Sequence, residues 1–238
     1  MSCDYFILTK PKQIVITDDN ENQIIDINKK SNIFILPRNN INYYINNGFF
    51  EKYLINWCKQ FCNKDKLFLD IGAHSGTYAI SLANYSNHVY AFEPQKMTYY
   101  SLCGSVVLSN LDNITCLNIG LGSIEQVGNQ VLNIVSDDGG GSSLHLNNNT
   151  ILRTEIIEVK TLDSLNLKNV GFIKMDVEEN ELFVLKGGLE TLKLSDYPNI
   201  MFESNNVDSD LFIFIQNIGY KITQITNSHN MFLAHKDM

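Results

Sequence analysis

The sequence lacks a basic excess, a long apolar run, a paired-cysteine motif and a complete phosphate-binding glycine loop, and each absence excludes something. Its 238 residues carry 18 Lys and Arg against 26 Asp and Glu, a formal net charge of -8. A non-specific nucleic-acid binder needs a basic face to displace phosphate counterions, so that class is disfavoured. No apolar run approaches the roughly 18 residues of a membrane span. The first ten residues, MSCDYFILTK, hold no basic stretch followed by an apolar core, so no signal peptide is expected. Cys3, Cys58, Cys62, Cys103 and Cys116 form no CxxC pair. An odd, scattered set points to reduced thiols in a cytoplasmic setting. Cys58 and Cys62 stand four apart, but no ligand pair nearby completes a metal site.

What is present suffices for one α/β domain, with a hydrophobic content of 44%. No internal repeat and no domain-separating linker occurs, so 1–238 reads as a single unit. Residues 1–63 form an N-terminal hairpin and helix extension, and 64–238 a cofactor-binding core. Ile14 to Ile16 and Ile24 to Ile27 flank the turn cluster Asp18-Asp19-Asn20 and predict a hairpin. Phe50, Leu54, Trp57, Cys58 and Phe61 fall at helical spacing and predict one helix over 43–62, with Trp57 in the core. Strands are expected at 67–70, 89–92, 114–119, 172–177 and 199–203. Helices are expected at 77–85, 95–108, 179–194 and 207–217. The 95–108 helix offers Met97, Tyr100, Leu102, Val106 and Val107 for burial. Strand–helix crossovers of this length imply a parallel sheet with right-handed connections. The strands at 220–225 and 231–234 are joined by a short link, which makes only an antiparallel pair. Between 122 and 150 the rhythm breaks. The loop from Ser136 to Ser143 reads equally as a lid over a site or as a surface excursion.

The chemistry concentrates in Leu67 to Pro94. Gly72 lets the chain turn tightly at a strand end, and Gly76 lets the next helix start close to a ligand. That helix start offers free N–H groups. Glu93 ends the next strand, where a carboxylate accepts hydrogen bonds from both hydroxyls of a bound ribose. NAD and S-adenosylmethionine (SAM) both satisfy this unit. No GxGxxG supplies a pyrophosphate site, and the chain closes in an antiparallel strand pair instead of a second mononucleotide half. A hairpin inserted into a parallel sheet is the mark of class I SAM-dependent methyltransferases.

From Leu69 to Gly76 the chain resembles the first motif of the FkbM methyltransferase family, as does Val89 to Pro94. Asn118 to Gly122, Thr161-Leu162-Asp163, Ile173 to Glu178, Glu181 to Gly188, Phe202-Glu203 and Gly219-Tyr220 continue the resemblance in order. It implies a Rossmann-like α/β fold: a seven-stranded, mostly parallel sheet with a terminal antiparallel hairpin, helices on both faces and a small N-terminal cap. It also implies SAM as cofactor and O-methylation of a sugar, nucleotide-sugar or glycan hydroxyl. The cofactor set on this reading is Asp70, Gly72, Ala73, His74, Gly76, Thr77, Glu93, Pro94 and Asn118. Two positions depart from the family pattern. His74 replaces a usual Asn, and Glu179 a usual Gly that follows the Asp-Val-Glu run.

A sulfonium methyl is already activated, so the protein mainly aligns the reactants, and a base assists loss of the hydroxyl proton. Asp176, at a strand's carboxyl end, is the candidate base or orienting group. Lys174 lies two residues before it on the same side of the strand, and Glu178 and Glu203 are further candidates. Glu178 also reads as a helix-start acid, and His145 as a structural histidine. Asp176, Glu203 and Asn205 invite a metal reading, but three oxygens at strand ends are a common coincidence and no metal is expected. The expected partner is a small-molecule or glycan acceptor, without nucleic acid or membrane. The oligomeric state stays open, with a homodimer compatible. An RNA ribose methyltransferase, a non-catalytic SAM-binding subunit and an NAD-dependent oxidoreductase are the competing readings.

Overall fold

A computed structural model describes residues 5–9, 32–145, 150–207 and 209–236, with 5–9 as backbone only. The hairpin expected over Ile14 to Ile27 and the polar stretch Asn147 to Asn149 lie outside the described residues. The strands are β1 (Tyr5–Thr9), β2 (Ile33–Pro37), β3 (Leu67–Ile71), β4 (His88–Phe92), β5 (Ile114–Leu117), β6 (Gly120–Leu121), β7 (Gly128–Ile134), β8 (Arg153–Lys160), β9 (Val170–Met175), β10 (Asn199–Glu203), β11 (Lys221–Gln224) and β12 (Met231–His235). The helices are α1 (Ile41–Asn47), α2 (Lys52–Cys58), α3 (Thr77–Leu82), α4 (Lys96–Leu108), α5 (Glu181–Lys186), α6 (Leu189–Leu194) and α7 (Asp210–Asn217).

Seven strands form the central sheet in the order β11-β12-β10-β9-β3-β4-β5. From β10 to β5 every pairing is parallel; β12 runs antiparallel to both β10 and β11. This is the class I methyltransferase architecture, with the terminal hairpin inserted at one edge as expected. Buried strands such as β3, Leu-Phe-Leu-Asp-Ile, are apolar on both sides because helices cover both faces. One face packs Phe68, Ala91 and Phe172 against Leu54, Ile55, Ile80 and Leu102 of α2, α3 and α4. The other packs Leu69, Ile71 and Ile173 against Val184, Leu185, Leu192 and Ile215 of α5, α6 and α7.

Three expectations about helices are corrected. The segment 43–62 is two helices, because Gly48 (φ +80°) and Glu51 (φ +54°) break the α conformation between α1 and α2. The segment 179–194 is likewise split, into α5 and α6, at Gly187-Gly188. There a Cβ on Gly187 would lie 2.1 Å from the Gly122 carbonyl oxygen, so the chain passes where only glycine fits. On α4, Met97, Tyr100 and Val107 are exposed, and the buried stripe is Thr98, Ser101, Leu102, Ser105 and Val106. The reason is β2, which lies on this stripe. Ile33 and Ile35 donate their N–H groups to Ser109 and Ser105 Oγ, each at 2.8 Å, so polar residues satisfy the strand's backbone edge. Trp57 does pack on the core, edge-on to Phe61 with centroids 4.6 Å apart.

The broken rhythm after β5 is a second sheet, ordered β6-β8-β7, that brings the loop 135–145 back over the carboxyl ends of β3 and β9. Asn133 and Ser143 bridge the base of that loop.

Candidate active site

A cavity opens at the carboxyl edge of the central sheet, where ligands bind in folds of this kind. Its walls come from the turn after β3 (Gly72, His74), the end of β4 (Glu93, Pro94), the stretch after β5 (Ile119 to Leu121), the loop 139–142, and the turn after β9 (Asp176 to Glu178, Asn180).

The turn after β3 is held by backbone. Gly72 and Ala73 both donate to the Phe92 carbonyl, at 3.0 and 2.9 Å. Gly72 has φ +77°, and a Cβ there would sit 1.8 Å from the Asp176 carbonyl oxygen, so this turn and the turn after β9 touch through the missing side chain. Gly76, at φ +83°, makes room for Leu102 in the same way. Asp70 is fully buried, and its Oδ2 accepts the Ala79 N–H of α3 at 2.8 Å. One of the free helix-start donors anticipated from the sequence is therefore used inside the protein.

Glu93 is 6% exposed. Its Oε1 accepts from the Gln95 N–H and the Thr98 hydroxyl, each at 2.9 Å, and its Oε2 from the His74 N–H at 2.8 Å. Three hydrogen bonds fix the carboxylate in one orientation, and two oxygens with about four acceptor sites leave capacity for a ligand hydroxyl. Of the expected cofactor residues, Gly72, His74, Glu93 and Pro94 line the cavity. Asp70, Ala73, Gly76 and Thr77 shape the turn and helix behind it. The Asn118 amide instead donates to the Glu93 and Pro94 carbonyls at 2.9 Å and borders a separate surface depression.

On the far side of the cavity stands a charged cluster. Lys174 is buried and donates to the Gly72 carbonyl at 2.8 Å, with Nζ 3.5 Å from Asp176 Oδ2 and 3.7 Å from Asp70 Oδ1. Burial works against its charge, but Asp176 and Asp70 outweigh this and hold its pKa above the ordinary value. The Asp176 side chain keeps 31% exposure against 5% for Lys174, so Asp176 is the member that reaches the cavity. Glu203 lies beside Asp176 within hydrogen-bonding reach and accepts from the Asn230 amide. Burial and the neighbouring Asp176 push the Glu203 carboxyl up to about 8. Glu181, in the first turn of α5, accepts the Val177 N–H at 2.9 Å. Glu178 turns to the loop above, its Oε1 accepting the Gly141 N–H at 3.0 Å.

That loop is the lid reading, with Gly139, Gly140, Gly141 and Ser142 forming a wall of the cavity. It is clasped at several points. His74 Nε2 meets the Asp138 carbonyl at 2.7 Å, so this nitrogen carries the proton. Gly141 bonds Glu178, the Ser143 hydroxyl donates to the Glu178 carbonyl at 2.7 Å, and His145 meets Asn180 Oδ1 at 2.9 Å. Asn39 and Asn40 donate to the Asp138 carboxylate from the N-terminal segment. His145 is thus structural, as expected, and the unusual His74 is a lid contact.

Sequence reasoning missed Glu51, Tyr78 and Asn180. Tyr78, on α3, donates to Glu51 Oε2 at 2.8 Å and turns its ring to Lys174 Nζ at 5.3 Å. Asn180 is 2% exposed, lines the cavity and donates to the Leu121 carbonyl at 2.9 Å. Nothing in their local sequence marks them; Tyr78 in particular sits on an ordinary apolar helix.

The donor set fits an adenosyl cofactor. A fixed buried carboxylate faces the cavity beside an apolar slot of Ile71, Phe92, Ile119 and Leu121, and a glycine turn opens one wall. A family model described as the methyltransferase FkbM domain matches residues 70–222. Among curated proteins no relative of the chain is found. Among solved structures, methyltransferase FkbM from Methylobacillus flagellatus KT aligns with a TM-score of 0.53 at 18% identity, over 73% of this chain and 44% of that one. This chain therefore spans less than half the length of that relative. The precorrin 8w decarboxylase of Methanobacterium thermoautotrophicum aligns with a TM-score of 0.51 at 11% identity, over 80% and 92%. At these identities the likeness is one of fold.

Proposed function

The chain belongs to the FkbM methyltransferase family, and from that premise we propose that it transfers a methyl group from SAM to a hydroxyl of a sugar, nucleotide-sugar or glycan. One observation carries the reading: a single cavity has the fixed Glu93 carboxylate on one wall and Asp176 on another. Bound SAM supplies a methyl already activated as a sulfonium. Glu93 accepts from the ribose hydroxyls, with Gly72, His74 and Pro94 against the cofactor. Asp70, Ala73, Gly76 and Thr77 set the turn, and Asn118 props the carbonyls of Glu93 and Pro94.

The remaining work is proton removal and alignment. Asp176 receives the acceptor's hydroxyl proton on a carboxylate oxygen. Lys174 orients Asp176 and moderates its charge. Glu203, protonated at neutral pH by its burial and its carboxylate neighbours, lies beside Asp176 without adding a second charge there. Glu178 holds the lid closed, which excludes water. The free thiols of Cys58, Cys62, Cys103 and Cys116 support a cytoplasmic setting.

Isothermal calorimetry tests the cofactor. S-adenosylhomocysteine is expected to bind and NAD not to, and the reverse result removes this function. Glu93→Ala is expected to weaken S-adenosylhomocysteine binding about ten- to a hundredfold, since it deletes a charged acceptor and frees three buried donors. Unchanged affinity puts the ribose elsewhere.

A further inference from the structure

The three groups that donate to the Glu93 carboxylate belong to residues on which the lid rests. The His74 N–H donates to Oε2, and the ring of the same residue donates from Nε2 to the Asp138 carbonyl of the lid at 2.7 Å. Gln95 gives its N–H to Oε1, and its side-chain oxygen lies 3.5 Å from the Ser142 hydroxyl. Thr98 gives its hydroxyl to Oε1, and its methyl lies 2.9 Å from where a Cβ on Gly139 would stand. That Cβ would also overlap the Gln95 oxygen, so the loop seats directly on the residues that hold Glu93.

The lid has the contacts of a unit that moves as one. Within it, the Ser136 hydroxyl and the Gly140 N–H both donate to Asp138 Oδ1, at 2.6 and 3.2 Å. Its base is fixed where Asn133 and Ser143 exchange backbone hydrogen bonds, at 2.9 and 3.1 Å. From outside the cavity, Asn39 and Asn40 donate to Asp138 Oδ2 at 2.7 and 3.3 Å. With the lid seated, the cavity measures about 180 Å³, below the roughly 300–1,000 Å³ of pockets that take a ligand of drug size. Loading an adenosyl cofactor therefore requires the lid to lift. Gly139 to Ser142 then cover the cofactor only when the lid returns. A ligand shifts a two-state element through contacts that it makes in one state alone, and this wall supplies them.

We propose that His74 is the positioning residue that couples occupancy of Glu93 to the lid, so that the lid lifts for each exchange of cofactor and its latch sets how long the cofactor stays. One residue does both because its left-handed backbone (φ +49°) turns its N–H to Glu93 and its ring to the loop. A ribose on Glu93 holds the carboxylate, the carboxylate holds the His74 N–H, and the direction of the ring follows. Asn, the usual residue here, keeps the backbone turn because it accepts positive φ, but its shorter side chain ends before the Asp138 carbonyl. The side chain at 74 thus sets the strength of the latch. Resting on the methyltransferase reading, the proposal adds how the cofactor enters and leaves.

The test uses the whole chain with S-adenosylhomocysteine. Amide hydrogen exchange is followed over residues 136–143 with and without this ligand, and its dissociation is timed by surface plasmon resonance. In the native chain the bound ligand is expected to slow exchange across the loop. In His74→Asn that slowing is expected to vanish, while the dissociation rate constant rises about three- to tenfold, the worth of one hydrogen bond. His74 itself lines the cavity, so a second variant acts from outside it. Asn39→Ala combined with Asn40→Ala is expected to raise the same rate constant about threefold or more. Loop exchange that ignores the bound ligand, slowing retained in His74→Asn, or an unchanged dissociation rate constant in either variant overturns the proposal. A native chain that does not bind S-adenosylhomocysteine overturns instead the function on which it rests.

Discussion

The turn after β3 and the turn after β9 touch at the carboxyl edge of the sheet and are built by different means. The first takes the left-handed backbone mainly with glycine, at Gly72 (φ +77°) and Gly76 (φ +83°), with His74 (φ +49°) between them. The second takes it with Glu178 (φ +53°) and Glu179 (φ +75°), where a side chain costs about 1–2 kcal/mol per residue. The first turn needs close approach: Gly72 and Ala73 are held backbone to backbone, and the His74 N–H goes to the Glu93 carboxylate. The second needs side chains. Glu178 bonds the lid, and Asp176, two residues earlier, reaches the cavity. The strain in the second turn persists because the surrounding contacts determine it.

The largest expected effect separates the roles of the two turns. Asp176→Asn should lower kcat about 10²- to 10⁴-fold, the usual scale of a positioned base, while S-adenosylhomocysteine affinity stays within threefold. Equal losses in both would merge the two halves of the site. Next comes Gly72→Ala. Its Cβ would overlap the Asp176 carbonyl, so urea unfolding should show a loss of roughly 3 kcal/mol or more, with cofactor binding lost as well. A near-neutral result would mean that the two turns can part.

The charged half has a pH dependence that the glycine half lacks. Below about 8 Glu203 keeps its proton, and above it Glu203 stands ionised beside Asp176. The rate constant kcat/KM should climb between about pH 7 and 9, and Glu203→Gln should flatten that limb. The folded Glu203 carboxyl holds its proton to about 8, whereas the unfolded one releases it near the ordinary 4.5. Stability therefore declines as pH rises across that window, and chemical denaturation at several pH values checks the sign. The smallest effect sharpens the comparison most. Glu179 is exposed, so Glu179→Gly should raise stability by about 1 kcal/mol. Glu178→Gly should bring no such gain, because it also releases the lid at Gly141.

Much of this molecule was legible before any coordinates. Strict apolar runs bounded by turn residues located β3, β4, β9 and β10, because strands buried on both faces leave little else to write. The terminal hairpin followed from a link too short for a crossover. Gly72 and Glu93 were readable because backbone conformation and strand-end position are local properties. The helices were less so. Periodicity ran straight through Glu51 and Gly187, where the break comes from neighbours distant in sequence. On α4 the apolar residues Met97 and Tyr100 looked like core, but the strand laid on that helix needed the oxygens of Ser105 and Ser109.

What the sequence alone determined is the parallel sheet with its inserted hairpin, the glycine turn after β3 and the strand-end carboxylate of Glu93. Each depends on contacts between near neighbours in the chain or on alternating burial. Only the tertiary structure decided the charged cluster. Glu51, Tyr78, the Lys174–Asp176 pair, Glu203 and the lid arrive from five separate segments. Their meeting sets charges by burial and distance, and those are properties of the folded arrangement, written in no single stretch of the chain.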